Sequence, residues 1–308
     1  MLVSEPGYIV DDFYWLGPTW FPSHLLDSRH PVLFEGGLAC NGRMYEEEVR
    51  AVLGARVPEI LFLTHAHFDH CGAVGYLKQR FPGLKVAASA RTAAILQRPN
   101  AVELIRSLND SIGQLVRETD GINRELLIDA PFAPFTVDII LEDGQQIDLD
   151  EGLSVHVLAT PGHTRDHVSY YVPEKRLLIG SEATGCRDRA GHQITECIID
   201  YDLYMASLRR LAELPLNVVS QGHHFIFVGE EEVRQFFDRS IDAGVRFKDR
   251  VLEFLRLEGG SIDRVVERLK SEEWDTNPYL KQPESAFRLN VTVQITHFAE
   301  KYFHSSIP

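Results

Sequence analysis

The run Ile60–Gly72, reading ILFLTHAHFDHCG, constrains this chain more than any other stretch. Ile60, Leu61, Phe62 and Leu63 form a continuous apolar segment of the kind a strand buried on both faces needs. His65, His67, Asp69 and His70 then follow within six residues. Strand alternation carried one step further turns His65 and His67 the same way. Asp69 and His70, past the turn, can face a second point. Imidazole nitrogens and a carboxylate oxygen are the donor set of zinc, iron or manganese. Only 13 of the 308 residues are His, so three within six positions exceed what composition would scatter there.

The rest of the chain can support such a site. Hydrophobic residues make up 44% and charged residues 25%, enough for one large core or a core with an appendage. The formal net charge is −14, from 45 acidic and 31 basic side chains, which argues against a general nucleic-acid binder. A local basic pocket for an anionic substrate stays compatible with it. Cys40, Cys71, Cys186 and Cys197 are scattered and form no C-x-x-C pair, which fits a reducing compartment. Cys71, beside His70, reads as a small packing residue. The amino-terminal MLVSEPGYIVDDFYWLG lacks the basic head and apolar core of a signal sequence. No apolar run approaches the roughly 18–20 residues of a membrane span. The expectation is a soluble cytoplasmic protein with no membrane or nucleic-acid partner; its oligomeric state is not legible.

Strand and helix signals alternate along the first part. YIVDDFYWLG, SHLLDS and PVLFEGG read as strands, Tyr45–Arg56 as an amphipathic helix, Ala73–Arg80 as a short helix and Lys85–Ala88 as a strand. That is α/β in kind. Residues 91–118 break the rhythm with two helical stretches split at Pro99, the second carrying Leu104, Leu108, Ile112 and Leu115 at helical spacing. They read as a helical insertion over the core. From Val137 the pattern is strand-rich again, then a helix over Asp200–Leu214 and a strand over Asn217–Ser220. Two strand-rich halves, 8–90 and 137–228, suggest two sheets packed face to face with helices outside. Residues 229–308 carry Phe-rich helical periodicity instead: one long helix stopped at Gly259-Gly260, a short one to Leu269 and a third over Glu284–Phe303. The division expected is a body of residues 1–228 and a docked helical appendage of residues 229–308.

Three later fragments repeat the chemistry of the first. ATPGHTRD (159–166) presents His163 in a Pro-Gly turn, LLIGSEATG (177–185) presents Glu182, and VVSQGHH (218–224) presents His223 or His224. Each follows an apolar strand, so all could meet at one sheet edge, where loops on a rigid scaffold build sites. His24, His30, His156, His192, His297 and His304 read as surface or structural groups, and His167 as an outer hydrogen-bonding partner of a ligand.

H-x-H-x-D-H, T-P-G-H-T, an acid after L-L-I-G-S and a late G-H together resemble the metallo-β-lactamase-fold hydrolases over roughly residues 8–228. F-E-G-G at 34–37, H-C-G at 70–72, A-S-A-R-T at 88–92 and D-H at 166–167, with the helical carboxy-terminal region, are further similar to the quinolone-signal response thioesterases of that superfamily, which carry a helical cap. The resemblance implies a four-layer αβ/βα sandwich and two divalent metal ions, zinc or iron, with manganese an alternative. It implies that His65, His67 and His163 hold the first ion, and that Asp69, His70 and His223 hold the second, the Gly-His register choosing His223. Glu182 would bridge. Here the chain departs from the pattern, which has Asp after Gly where this sequence has Ser181-Glu182. A Glu carries one more methylene, so it can bridge only if its backbone sits further back; otherwise it binds one ion or neither.

Such a centre would use a metal-bridging hydroxide, oriented by Asp69, to attack a carbonyl carbon. A thiolate, of pKa about 8.5 by analogy with Cys, leaves without acid help, whereas an amine needs a proton donor, and none is evident near the motifs. The sequence therefore points to hydrolysis of a thioester or ester in a small acyl substrate. A lactone or phosphodiester hydrolase of the same fold is the nearest rival. A regulatory, partner-binding protein that keeps a metal site for structure is the reading from another class.

Overall fold

The computed structural model describes residues 1–119, 122–129, 131–279 and 282–303. Among them two seven-stranded sheets pack face to face. The first runs, in spatial order, Gly7–Val10, Phe13–Leu16, Ser23–Leu26, Val32–Phe34, Ile60–Phe62, Lys85–Ser89 and Ile139–Leu141. Its first four strands form an antiparallel meander; the last four are parallel, with Phe34 opposite Phe62 and Phe62 opposite Ala87. Parallel neighbours need crossovers, and the helices Gly42–Leu53 and Val74–Arg80 supply two of them. The second sheet runs Leu2–Val3, Ile226–Val228, Val218–Ser220, Leu177–Ile179, Val168–Val172, Leu153–Ala159 and Gln146–Asp150. The helix Tyr201–Ala212, capped by the Asp200 side chain, makes the crossover between its one parallel pair.

Between the sheets lies one apolar layer that includes Phe13, Trp15, Phe34, Phe62 and Tyr170. The Phe62 and Tyr170 rings stand 5.1 Å apart, and the Tyr170 hydroxyl donates to the Leu63 carbonyl at 2.5 Å, tying the second sheet to the strand that precedes the His-rich loop. A second apolar layer lies under the helices outside the first sheet, and a third under those outside the second. The result is the expected α/β four-layer αβ/βα sandwich, with further helices at the carboxy-terminal end. There, Glu230–Leu257, Ile262–Leu269 and Glu284–Phe298 pack on the second sheet and on the helix Tyr201–Ala212, the Phe227 and Phe236 rings stacking at 4.0 Å. The third of these turns into a π-helical segment at Ala299–Phe303; His304 lies outside the described residues.

Two local expectations are corrected. The strand-rich halves are not each one sheet: Ile139–Leu141 joins the first sheet beside Lys85–Ser89, and Leu2–Val3 joins the second. In the helix Pro99–Glu118 the buried face is Ile105, Asn109, Ile112, Gly113 and Val116, while Leu104 and Leu115 are 47% and 40% exposed. The face is rotated because Asn109, polar in any pattern count, points inward. Its amide donates to Phe68 O and accepts from the Ala39 backbone N–H. All four cysteines are buried and free. No helix among the described residues is long and apolar enough to cross a membrane.

Candidate metal centre

Every proposed donor sits where a buried strand ends. After Ile60–Phe62 the chain bends at Thr64, is extended again at His67, then coils into the four-residue helix Phe68–Cys71, which carries Asp69 and His70. That helix abuts the chain after the FEGG turn. A Cβ on Gly72 would come within 2.5 Å of Asn109 Oδ1, 2.6 Å of Ala39 N and 2.7 Å of Gly37 O, so only glycine allows the approach. His163 follows Leu153–Ala159, Glu182 follows Leu177–Ile179 and His223 follows Val218–Ser220.

The side chains converge. His65, His67 and His163 form one donor group and Asp69, His70 and His223 another, each with its donor atoms within 4.8 Å of one another. His67 Nδ1 is 3.1 Å from His163 Nε2 although 96 residues separate them. Glu182 lies between the groups. Its Oε1 is 2.7 Å from His70 Nε2 and 2.9 Å from His223 Nε2, while its Oε2 is 3.9 Å from His65 Nε2 and 3.8 Å from His167 Nε2. One oxygen thus faces each group. Glu182 lies in the 3-10 turn Ser181–Thr184, entered through Ser181 at a left-handed φ of 49°. The Ser181 hydroxyl donates to Glu182 Oε2 at 2.6 Å and is no competitor as a donor to a cation. His224 belongs to none of the donor groups, and burial lowers its pKa to about 3.

A second layer orients these rings. His163 Nδ1 lies 2.7 Å from the Glu196 carbonyl, His223 Nδ1 2.5 Å from the Trp20 carbonyl, His65 Nδ1 2.9 Å from Thr64 Oγ1 and His70 Nδ1 3.2 Å from Glu35 Oε2. Outer partners of this kind fix which nitrogen is free to ligate. Burial, aided by the neighbouring imidazoles and against the pull of Glu182, pushes the His65 and His163 pKa values well down. Burial also opposes charge on His70, but Glu182 and Glu35 beside it win and hold it well up. Glu182, despite a burial penalty, is held well below the usual carboxylate range by His70 and His65.

This arrangement fits a metal. Nε2 of His65 and of His167 are buried and have no hydrogen-bond partner among the described residues. Buried polar atoms are rarely left so, and both face a carboxylate. Five imidazoles and two carboxylates around one buried point match the donor chemistry of divalent zinc, iron or manganese.

The centre opens into a cavity of about 720 Å³. His67, Asp69, His163, Glu182 and His223 form its floor, and the helices Pro99–Glu118, Glu230–Leu257 and Glu284–Phe298 contribute Ile112, Phe247, Phe287 and Val291 to its walls.

The sequence profile of the metallo-beta-lactamase superfamily matches residues 24–223, which spans all of these donors. The chain belongs to that superfamily. Among its relatives is the metallo-beta-lactamase fold-containing protein ST1585 of Sulfurisphaera tokodaii, 27% identical over 184 residues, 59% of this chain and 67% of that protein. The crystal structure of ST1585 superposes with a TM-score of 0.59 at 18% identity, covering 95% of this chain and all of that one. A hydroxyacylglutathione hydrolase of Chelativorans is 26% identical over 76% of this chain and 73% of its own length. An atrochrysone carboxyl ACP thioesterase of Aspergillus fumigatus is 26% identical over 68% of this chain and 52% of its own length.

For this superfamily member, the structure brings His65, His67, Asp69, His70, His163, Glu182 and His223 together. Two residues, Glu35 and Glu196, escaped sequence reasoning, and a third, His167, stands closer to the centre than expected. Glu35 reads as part of a Gly-rich turn, and only its place in F-E-G-G hinted at a role. His167, expected outside the donor ring, faces it. Glu196 corrects the expectation that no acid stands near the motifs. Its side chain is a quarter exposed, lines the cavity and approaches His163 Nδ1 to 4.0 Å; burial, then the Glu182 charge, raises its carboxyl to about 7. His30, His156, His192 and His297 lie outside the centre, against Glu59, Tyr171, Asp188 and the Tyr201 N–H respectively. Cys71 is fully buried, its thiol pKa pushed well up by burial.

Proposed function

We propose that this chain is a metal-dependent hydrolase that cleaves a thioester or ester bond in a small acyl substrate. The observation that carries the reading is the position of the donor ring. It forms the floor of a cavity whose walls at Phe68, Ile112, Ile198, Phe247, Phe287 and Val291 are apolar, which suits an acyl group whose scissile carbonyl rests on the floor. The names of two relatives, a hydroxyacylglutathione hydrolase and a carboxyl ACP thioesterase, describe acyl groups released from thiol carriers.

In this reading His65, His67 and His163 hold one divalent ion, Asp69, His70 and His223 hold a second, and Glu182 spans them; zinc or iron is expected, with manganese an alternative. When bound, such ions lower the pKa of water toward neutrality and polarise a carbonyl oxygen. Asp69, 17% exposed and on the cavity floor, orients the attacking water. Glu35, Thr64 and the Trp20 and Glu196 carbonyls keep the imidazoles aimed. Residues 1–228 act as the catalytic body, and the helices of 229–308 roof the cavity and set the shape of the acyl group. A thiolate needs no acid to leave, so a thioester is the substrate that asks least of the site.

Protein reconstituted anaerobically with zinc or with iron, offered acyl-CoA, acyl-glutathione, oxygen-ester, lactone and phosphodiester panels, tests this. Thiol or alcohol release that disappears in His67→Ala and Asp69→Ala is expected. Fully metallated protein with no turnover on the thioesters and esters overturns the reading, and turnover confined to lactones or phosphodiesters reassigns it.

A further inference from the structure

His167 was expected to support a ligand from outside, yet its ring lies 4.9 Å from that of His65 and is inclined 28° to it. Its Nε2 is buried, lacks a hydrogen-bond partner among the described residues, and points at Glu182 Oε2 from 3.8 Å. Whether that nitrogen carries a proton follows from the groups behind it. The Gly180 carbonyl can only accept, so the Ser169 hydroxyl, 3.2 Å away, gives it its one proton. Thr160 Oγ1, 2.9 Å from Ser169 Oγ, must then donate to Ser169. With that proton committed, Thr160 Oγ1 accepts from His167 Nδ1 at 2.8 Å. The Nδ1–H tautomer leaves Nε2 bare.

An independent relay does the same for His65. The Ser181 hydroxyl donates to Glu182 Oε2, Thr64 Oγ1 donates to Ser181 Oγ at 3.4 Å, and His65 Nδ1 donates to Thr64 Oγ1 at 2.9 Å. His65 Nε2 is therefore bare too. Two lone pairs and a carboxylate oxygen, all buried and within 4.8 Å of one another, repel, and a cation among them relieves that repulsion.

We propose that His167 is a direct metal ligand, and that His65 Nε2, His167 Nε2 and Glu182 Oε2 form an inner position for a divalent cation beneath the His65–His67–His163 group. Two nitrogens and one carboxylate oxygen suit zinc or ferrous iron. Because His65 has a single Nε2 lone pair, the inner and outer positions are alternatives for one ion and not two simultaneous sites. Glu in place of Asp at 182 supplies the reach toward His167. The inference concerns the metal alone and stands or falls apart from the substrate reading.

The test uses the wild-type full chain, loaded with cadmium-113 and labelled with nitrogen-15 in histidine. One-bond coupling between cadmium and the His167 Nε2 signal, assigned by its disappearance in His167→Gln, is expected. In competition with a chelator, zinc-loaded His167→Gln is expected to lose one ion at least tenfold more readily than wild type, with an unchanged melting curve for the metal-free protein. Cadmium coupling to His65 with none to His167 overturns the inner position while leaving the metal centre intact. Coupling to no histidine overturns both.

Discussion

Glu35 Oε2 stands 3.2 Å behind His70 Nδ1, with both side chains 2% exposed. The other carboxylate oxygen accepts the Thr64 backbone N–H at 3.3 Å, so Glu35 joins the FEGG turn to the start of the His-rich loop as well as to the ring. A carboxylate behind a ligating imidazole fixes the ring's orientation and raises its basicity, and loss of such a partner typically costs about 10–100-fold in metal affinity. Glu35→Gln is expected to weaken, by that order, binding of the ion proposed for Asp69, His70 and His223, measured by chelator competition. An unchanged affinity would remove Glu35 from the centre.

The placement of Glu182 predicts how the centre responds to length and charge at that position. Glu182→Gln keeps the length and removes the charge that faces both donor groups. Elemental analysis should then show fewer bound ions per chain than in wild type, because the lost charge faces donors of every group. Glu182→Asp keeps the charge and shortens the reach by one methylene from the 3-10 turn Ser181–Thr184. It should retain His70 and His223 as neighbours and lose the approach to His65 and His167, so one ion is held less tightly. Full occupancy in both variants would deny Glu182 a bridging place.

Much of this centre was legible because each donor follows an apolar strand, and strand ends at one edge of a two-sheet sandwich lie close together. His65, His67, His163 and His223 could be placed from that rule and from the superfamily pattern. Glu35 could not, since an acid before two glycines looks like an ordinary turn until His70 is seen in front of it. Asn109 defeated the helix pattern for a related reason: polarity marks a residue as outward, but its amide was needed inside to satisfy Ala39 N–H and Phe68 O. The sheet membership of Ile139–Leu141 was also hidden, because strand propensity says nothing about which neighbour supplies the hydrogen bonds.

His24 gives a pH dependence separable from the metal. It is 1% exposed and stacked on Phe13, and burial, assisted by the His70 charge, lowers its pKa from 6.5 to about 3. Below pH 6.5 the unfolded chain binds a proton at this position that the folded chain refuses until about pH 3. His24 therefore adds to the loss of stability as pH falls through that window, by about 1.4 kcal/mol per pH unit. His24→Gln, which keeps a hydrogen-bonding amide for Ser220 Oγ, removes this slope; contributions from the metal ligands are common to both proteins and cancel in the difference. Denaturant unfolding at pH 7, 6 and 5 measures it, and parallel stability curves for variant and wild type would refute the assignment.

Gly72 offers the strictest test of how the His-rich loop is held. Its φ is ordinary, so the demand for glycine is steric and not conformational. An added methyl would lie 2.6 Å from Ala39 N and 2.7 Å from Gly37 O, and neither backbone atom can rotate aside as a side-chain tip would. Relief requires the helix Phe68–Cys71 to withdraw from the Gly37–Ala39 segment, breaking the 2.7 Å hydrogen bond from Gly72 N to Gly37 O and carrying Asp69 and His70 with it. Gly72→Ala should therefore cost more than about 3 kcal/mol, at or beyond the upper end of the usual overpacking range. It should also weaken the Asp69–His70–His223 position more than the His65–His67–His163 position, because only the former rides on the displaced helix. Thermal unfolding of the metal-free protein reads the first effect, and chelator competition on the refolded, zinc-loaded variant reads the second. A stable variant with both ions bound as in wild type would show that the close approach at Gly72 does not position the centre.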